Sequence, residues 1–271
     1  MSQISTEVNP TPDISPTAIE PDISQLAIED DKPVDNLISE KQQRLLTEPL
    51  YSNPGALGDR PFLVAANVGV FYGVRQPPLV PDVFLSLDVT VPQDWSEKKN
   101  RTYFVWEFGK PPDVAIEIVS NREGKELGSK LADYARIGVS YYAIFDPLQQ
   151  LSSTPLQVFE RHSSHYRAMA EFWLGDVGLG LTLWEGIFEG KQDRWLRWCD
   201  VSGTAILTGA ELALQERQRA DEERQRADEE RQRADEERQR ADEERQRAEQ
   251  AEAKAAQLAE RLRALGIDPN G

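Results

Sequence analysis

The stretch Pro111-Pro112-Asp113-Val114-Ala115-Ile116-Glu117-Ile118-Val119-Ser120 decides the fold. Its near-continuous apolar run suits a strand buried on both faces of a sheet. Asn121 to Gly124 reads as a turn and Lys125 to Ile137 as a helix, with Gly138 placed to end it in a left-handed conformation. Val139 to Phe145 is a second apolar strand, closed by Asp146-Pro147. Strand, crossover helix and strand within about 35 residues define a right-handed βαβ unit.

Upstream, Pro61 to Tyr72 and Val80 to Leu87 are apolar, bounded by Gly58, by Gln76-Pro77-Pro78 and by Pro92, and are predicted strands. Arg101 to Phe108 alternates and is aromatic. From Val34 to Leu46 the pattern is helical, with Val34, Leu37, Ile38, Leu45 and Leu46 on one face. Downstream, Gln157 to Leu174, Leu179 to Leu183 and Trp195 to Trp198 resemble antiparallel edge strands. The expected class is therefore α/β, a mixed sheet with flanking helices over residues 34–210.

Two extensions flank this domain. Residues 1–33 mix Pro, Ser, Thr and acids without periodicity, which predicts a disordered acidic tail. Residues 211–265 carry a seven-residue unit, Arg-Ala-Asp-Glu-Glu-Arg-Gln, repeated through 219–247, followed by a short tail at 266–271. The heptad invites a coiled-coil reading. Its seam, however, offers one alanine per unit (Ala220, Ala227, Ala234, Ala241, Ala248) and no Leu or Ile until Leu258, and alanine alone buries little area. Glu222 to Arg226 and Glu229 to Arg233 stand at i,i+4 in the favoured order, so a solvated single helix of roughly 80 Å is expected. Leu258, Leu262 and Leu265 could form a docking patch for a protein partner at its tip.

The formal charge is −16. Residues 1–40 carry about −8, 41–210 about −3 and 211–271 about −5, so the middle could still present a local basic surface to phosphates. Cys199 is the single cysteine, which excludes an intrachain disulfide and a cysteine zinc cage. The Met-Ser-Gln-Ile-Ser-Thr-Glu start has no basic or apolar leader character, and no run is long enough to cross a bilayer. A cytoplasmic protein without a membrane role is the expectation.

Glu117 lies between isoleucines in a run that reads as buried. An ionised carboxylate there is costly unless a metal ion or a cation compensates. A structural salt bridge to Arg or Lys is the plainer alternative. On the following helix Leu127, Leu131 and Tyr134 define an apolar face, and Lys130 falls on that face at i+3 from Leu127. It is either a partner for the glutamate or a lysine that buries its stem and wets its amine. Asp82 opens an apolar strand after Pro81, and beside Glu117 it supplies a second carboxylate for Mg²⁺. The two are expected at neighbouring strands of a parallel core. His162 and His165 read as surface residues of a hairpin, Cys199 as a buried structural thiol, and Trp173, Trp184, Trp195 and Trp198 as packing.

Together, Asp82, the run from Asp113 to Ser120 and the stretch Gly128-Ser-Lys130-Leu-Ala-Asp-Tyr-Ala-Arg-Ile-Gly138-Val, ending in Asp146-Pro147, resemble the Uma-two family of the PD-(D/E)xK nuclease superfamily. The resemblance covers roughly residues 40–200. It implies a restriction-endonuclease-like fold, Mg²⁺ dependence, hydrolysis of phosphodiester bonds in DNA, and self-association as a homodimer. Asp82 matches the motif aspartate and Glu117 the acid of (D/E)xK. Val119 stands where the motif lysine would be, and similar sequences carry that lysine on the next helix, which makes Lys130 its replacement. Glu40 matches an early glutamate of the superfamily. A different class of function is a nuclease fold that no longer cleaves and acts as a scaffold through its long helix.

Overall fold

The deciding run forms the centre of a sheet. In the computed structural model, which describes residues 36–120 and 126–264, every residue of Val114–Ile118 is buried. The acidic segment 1–33, the turn at Asn121 to Gly124 and the tail at 266–271 lie outside the described residues.

In chain order the strands are β1 (Phe62–Ala66), β2 (Val70–Phe71), β3 (Val83–Leu87), β4 (Tyr103–Phe104), β5 (Val114–Ile118), β6 (Tyr141–Phe145), β7 (Leu156–His162), β8 (His165–Ala168), β9 (Trp173–Leu174), β10 (Leu179–Phe188) and β11 (Lys191–Cys199). The helices are α1 (Leu37–Ser52), α2 (Val105–Phe108), α3 (Leu131–Ile137) and α4 (Gly209–Ala264). The main sheet has the order β1-β3-β5-β6-β7-β8, with β5 and β6 parallel and the other neighbours antiparallel. It is a mixed sheet. The βαβ unit is β5-α3-β6, and Gly138 ends α3 at φ 98°.

Alternation along β5 divides the interior in two. Val114, Ile116 and Ile118 face a core that includes Leu46 and Leu50 of α1 and Leu179, Leu196 and Trp198 of a second sheet, ordered β11-β10-β9. Ala115 and Val119 face the other way, with Tyr134 of α3 and with Tyr142 and Ile144 of β6. The pair β2 and β4 covers this second face beside Phe84.

Several sequence expectations are corrected. The strands of Asp82 and Glu117 are neighbours, but they run antiparallel. An apolar run buried on both sides looks the same in either direction, so its composition carries no polarity. Pro61 to Tyr72 is not one strand: Asn67, at φ 54°, breaks it into β1 and β2, which belong to different sheets. Val80 is 48% exposed and precedes its strand, which starts at Val83. Arg101 to Phe108 yields a two-residue strand and then a single helical turn. The 125–137 helix is interrupted at Gly128 (φ −114°, ψ −110°), so a wide turn over Glu126–Lys130 precedes α3. The interruption shifts the helical phase and leaves Leu127 44% exposed. Leu37, read as a face residue of α1, is 79% exposed. The buried stripe of that helix runs instead through Gln42, Gln43, Leu45, Leu46 and Leu50. Trp173 and the two strands after it form the separate second sheet rather than an edge of the first.

The chain divides into two units between Thr208 and Gly209. The second contains α4, whose 56 residues include none that is buried. Glu222–Arg226, Glu236–Arg240 and Glu243–Arg247 pair at i,i+4 and 3.7–3.8 Å. Exposed pairs of this kind each contribute only a few tenths of a kcal/mol, so the helix depends on many of them. A peptide spanning 215–264 is expected to be helical by circular dichroism, with ellipticity constant over roughly a hundredfold range of concentration. A rise with concentration would mean a coiled coil. Among the described residues no helix is long and apolar enough to cross a membrane.

Candidate active site

Glu117 is 2% exposed and projects from β5 toward α3. Both of its carboxylate oxygens are engaged. The Lys130 ammonium donates to Oε2 at 2.8 Å, and the Tyr134 hydroxyl donates to Oε1 at 2.8 Å. Lys130 is the last residue of the wide turn and Tyr134 stands one helical turn on, so the i,i+4 spacing brings both onto the strand. Lys130 also lies 3.6 Å from the mostly buried Glu126. Its own side chain is 34% exposed, which places it between the buried carboxylate and solvent.

Asp82 immediately precedes β3. The antiparallel register pairs Val83 with Ile116, and its continuation sets Asp82 opposite Glu117. Residues directly opposed in such a pair share a face, with Cα atoms about 4.5–5.5 Å apart. Asp82 Oδ2 accepts the Ile118 backbone N–H at 2.5 Å, and its carbonyl accepts the Asn67 N–H at 3.2 Å. Asn67, just past β1, Asp82, just before β3, and Glu117 of β5 therefore follow one another along one rung, with the Asn67 side chain donating to Gln43 of α1 at 3.3 Å.

Burial pushes the Glu117 carboxyl up to about 8, the Asp82 charge adds to the rise, and Lys130 and Tyr134 only partly oppose it. Burial pulls the Lys130 ammonium down, but the Glu117, Glu126 and Asp82 carboxylates outweigh it, so lysine stays the charged member. In the metal-free cluster burial therefore shifts Glu117 toward its protonated form, beside a cationic Lys130 and a second acid. Strong desolvation combined with specific charge partners is a pattern that marks functional sites.

Of the four residues singled out by sequence, the structure brings together Asp82, Glu117 and Lys130 and leaves Glu40 elsewhere. Glu40 stands in the first turn of α1 and pairs with Arg44, which with Lys41 also binds Glu189. That helix packs on the sheet face opposite Glu117. Val119 lies in the apolar cluster around Tyr134 and leaves the amine to come from the helix side. Tyr134 fits the apolar face in the sequence, and its i,i+4 relation to Lys130 is the signal that could have marked it as a site residue. His162 pairs with Glu160 at 3.1 Å on the β7–β8 hairpin, and Cys199 is buried on β11.

A mixed sheet flanked by helices, with acids at one rung of its central strands, makes this an α/β domain with a candidate acidic site. Residues 27–177 match the Uma2 family, described as "Putative restriction endonuclease", and the protein belongs to that family. No curated protein matches the chain. Among solved structures it is similar to "a putative nuclease belonging to DUF820" from Anabaena variabilis, at 17% identity over 52% of this chain and 72% of that one, with a TM-score of 0.36.

Proposed function

We propose that the protein is a Mg²⁺-dependent endonuclease that hydrolyses phosphodiester bonds in DNA. The observation that carries this reading is the cluster of Asp82 and Glu117 on one sheet rung with the Lys130 amine 2.8 Å from the buried carboxylate. The donor set is hard oxygen, which fits Mg²⁺. Among the described residues no group of three or more His, Cys, Asp or Glu side chains could hold a metal ion, so Asp82 and Glu117 would hold it together with water and phosphate oxygens. When bound, the cation supplies Lewis acidity toward the phosphate and eases ionisation of a bound water. Glu117 must be ionised to act as a ligand, and the neighbouring ammonium favours that form. Lys130 orients the attacking water and offsets charge developing on the phosphate oxygens. Tyr134 holds the Glu117 carboxylate in one orientation.

A homodimer belongs to the same proposal. A second reading, favoured by the exposed 56-residue helix, is a non-cleaving nuclease-fold scaffold that docks a protein partner along α4. One assay separates them. The full chain incubated with supercoiled plasmid is expected to nick it in Mg²⁺ and not in a chelator, and Asp82→Asn is expected to lower the rate at least about a hundredfold. Intact plasmid with both Mg²⁺ and Mn²⁺ would leave the scaffold.

A further inference from the structure

On the sheet face that carries Asp82 and Glu117 lies a cavity of about 310 Å³. Leu63, Ala65, Phe84 and Tyr103 line its inner surface, with Trp95 and Arg101 among the other lining residues. Phe84 follows Asp82 by two residues, so its side chain leaves the same face roughly 7 Å away. Val68, which also lines the cavity, follows the rung residue Asn67. The cavity thus lies on the same sheet face as the carboxylate rung, two residues along β3 from Asp82, and no rung residue lines it.

Its walls are aromatic and largely free of polar demand. Phe84 meets Tyr103 edge-on at 5.1 Å, and Tyr103 stacks on Phe108 at 4.3 Å with planes 4° apart. The Tyr103 hydroxyl is satisfied by the Lys110 carbonyl at 2.9 Å and by Ser86 Oγ at 2.8 Å. Trp95 is 66% exposed, and its indole N–H donates to the Pro92 carbonyl at 2.8 Å, which holds the ring beside the cavity. The same loop carries Lys98, Lys99 and Arg101, three cations within four residues of a chain whose net charge is −16. Lys99 shares its charge with Glu97 at 3.5 Å.

We propose that this cavity receives one unstacked nucleobase next to the scissile phosphate, with Lys98, Lys99 and Arg101 neutralising the adjoining phosphates, so that the preferred substrate is single-stranded or locally opened DNA. The proposal rests on the nuclease reading and names the form of its substrate. The cavity is at the small end of ligand pockets, suited to one planar group. Stacking on an aromatic ring is tolerant of base identity, because every base has a π-face. In an intact duplex the base is held in its own stack and must be extruded at a cost before it can enter.

The test uses the full chain in chelator, where nothing is cleaved. Fluorescence anisotropy follows binding of a labelled oligodeoxythymidine of about 12 nucleotides and of a blunt duplex of the same length. The single strand is expected to bind more tightly. Trp95→Ala is expected to weaken single-strand binding at least about fivefold, and Trp95→Phe to stay within about twofold, because phenylalanine keeps a stacking face. Lys98→Gln with Lys99→Gln is expected to flatten the salt dependence. Trp95 is a surface side chain, so its thermal midpoint serves as the folding control. Single-strand binding by Trp95→Ala at wild-type strength overturns the base pocket and leaves the nuclease reading standing. So does displacement of the single strand by poly-glutamate as readily as by unlabelled single strand, which would make the loop a general polyanion surface. If wild-type protein binds neither DNA form, the DNA reading and this proposal fall together.

Discussion

Lys130→Met is expected to lower Mg²⁺-dependent cleavage by roughly a hundred- to a thousandfold while leaving the fold in place. The amine is 2.8 Å from Glu117 Oε2 and 3.6 Å from Glu126 Oε1, and Val119 leaves no lysine on the strand itself. Methionine keeps much of the stem volume, so packing should survive. Removing the cation does not strand a bare charge, because Glu117 already favours its protonated form through burial and becomes more firmly neutral. A structural role would give the opposite pattern, a fallen thermal midpoint with residual activity in proportion to folded protein. Single-turnover nicking together with thermal denaturation by circular dichroism separates the two. Cleavage at the wild-type rate would remove Lys130 from the mechanism.

The βαβ centre was legible because several signals agreed there. The run through Ile116 is buried on both faces, Gly138 takes the left-handed conformation that its position called for, and Lys130 turns inward one helical turn before Tyr134, although Leu127, from which its face is reckoned in the sequence, is exposed. Strand direction was not legible, since the partner of Val83 could equally have run parallel. The break at Asn67 was hidden for a related reason: one residue at φ 54° redirects a strand without altering its apolar composition.

Other misses came from polar residues that make long-range pairs. Nothing in the sequence singles out Gln42, yet its amide donates to the Leu196 carbonyl at 2.7 Å and accepts the Leu196 N–H at 3.0 Å. A side-chain amide here mimics a strand partner for β11, and only the tertiary contact, 154 residues away, shows it. Tyr134 was half legible. Its apolar ring fits the core pattern, while the hydroxyl's use depends on where Glu117 lies. Glu40 failed for the opposite reason. Its helix was recognised, but spacing within a helix does not tell which face of a distant sheet it covers.

Glu117→Gln is expected to abolish cleavage and, in the metal-free protein, to raise stability at alkaline pH. The carboxyl stands near 8 in the folded protein against 4.5 for its ordinary value. Between those values the native state holds a proton that the unfolded chain has released. The stabilising share of the protonated form is therefore fully present below about 4.5 and is lost as pH rises through about 8. Glutamine imitates the neutral acid at every pH. Its carbonyl can face Lys130 and its amide can face the Tyr134 hydroxyl, which accepts as well as donates. Wild type and variant should accordingly have similar thermal midpoints near pH 4.5, separate as pH rises from about 4.5 to about 8 and keep a constant gap above that, with the variant higher by several degrees, at about 2–4 °C for each kcal/mol in a domain of this size. Cleavage falls by at least about a hundredfold, because a neutral amide is a poor substitute for a carboxylate ligand to Mg²⁺. Parallel midpoint curves across that pH range would show that Glu117 is ionised in the metal-free protein, with Lys130 as a sufficient counter-ion. The expected divergence would mean that the site keeps a destabilising acid whose use lies in binding rather than in holding the sheet together.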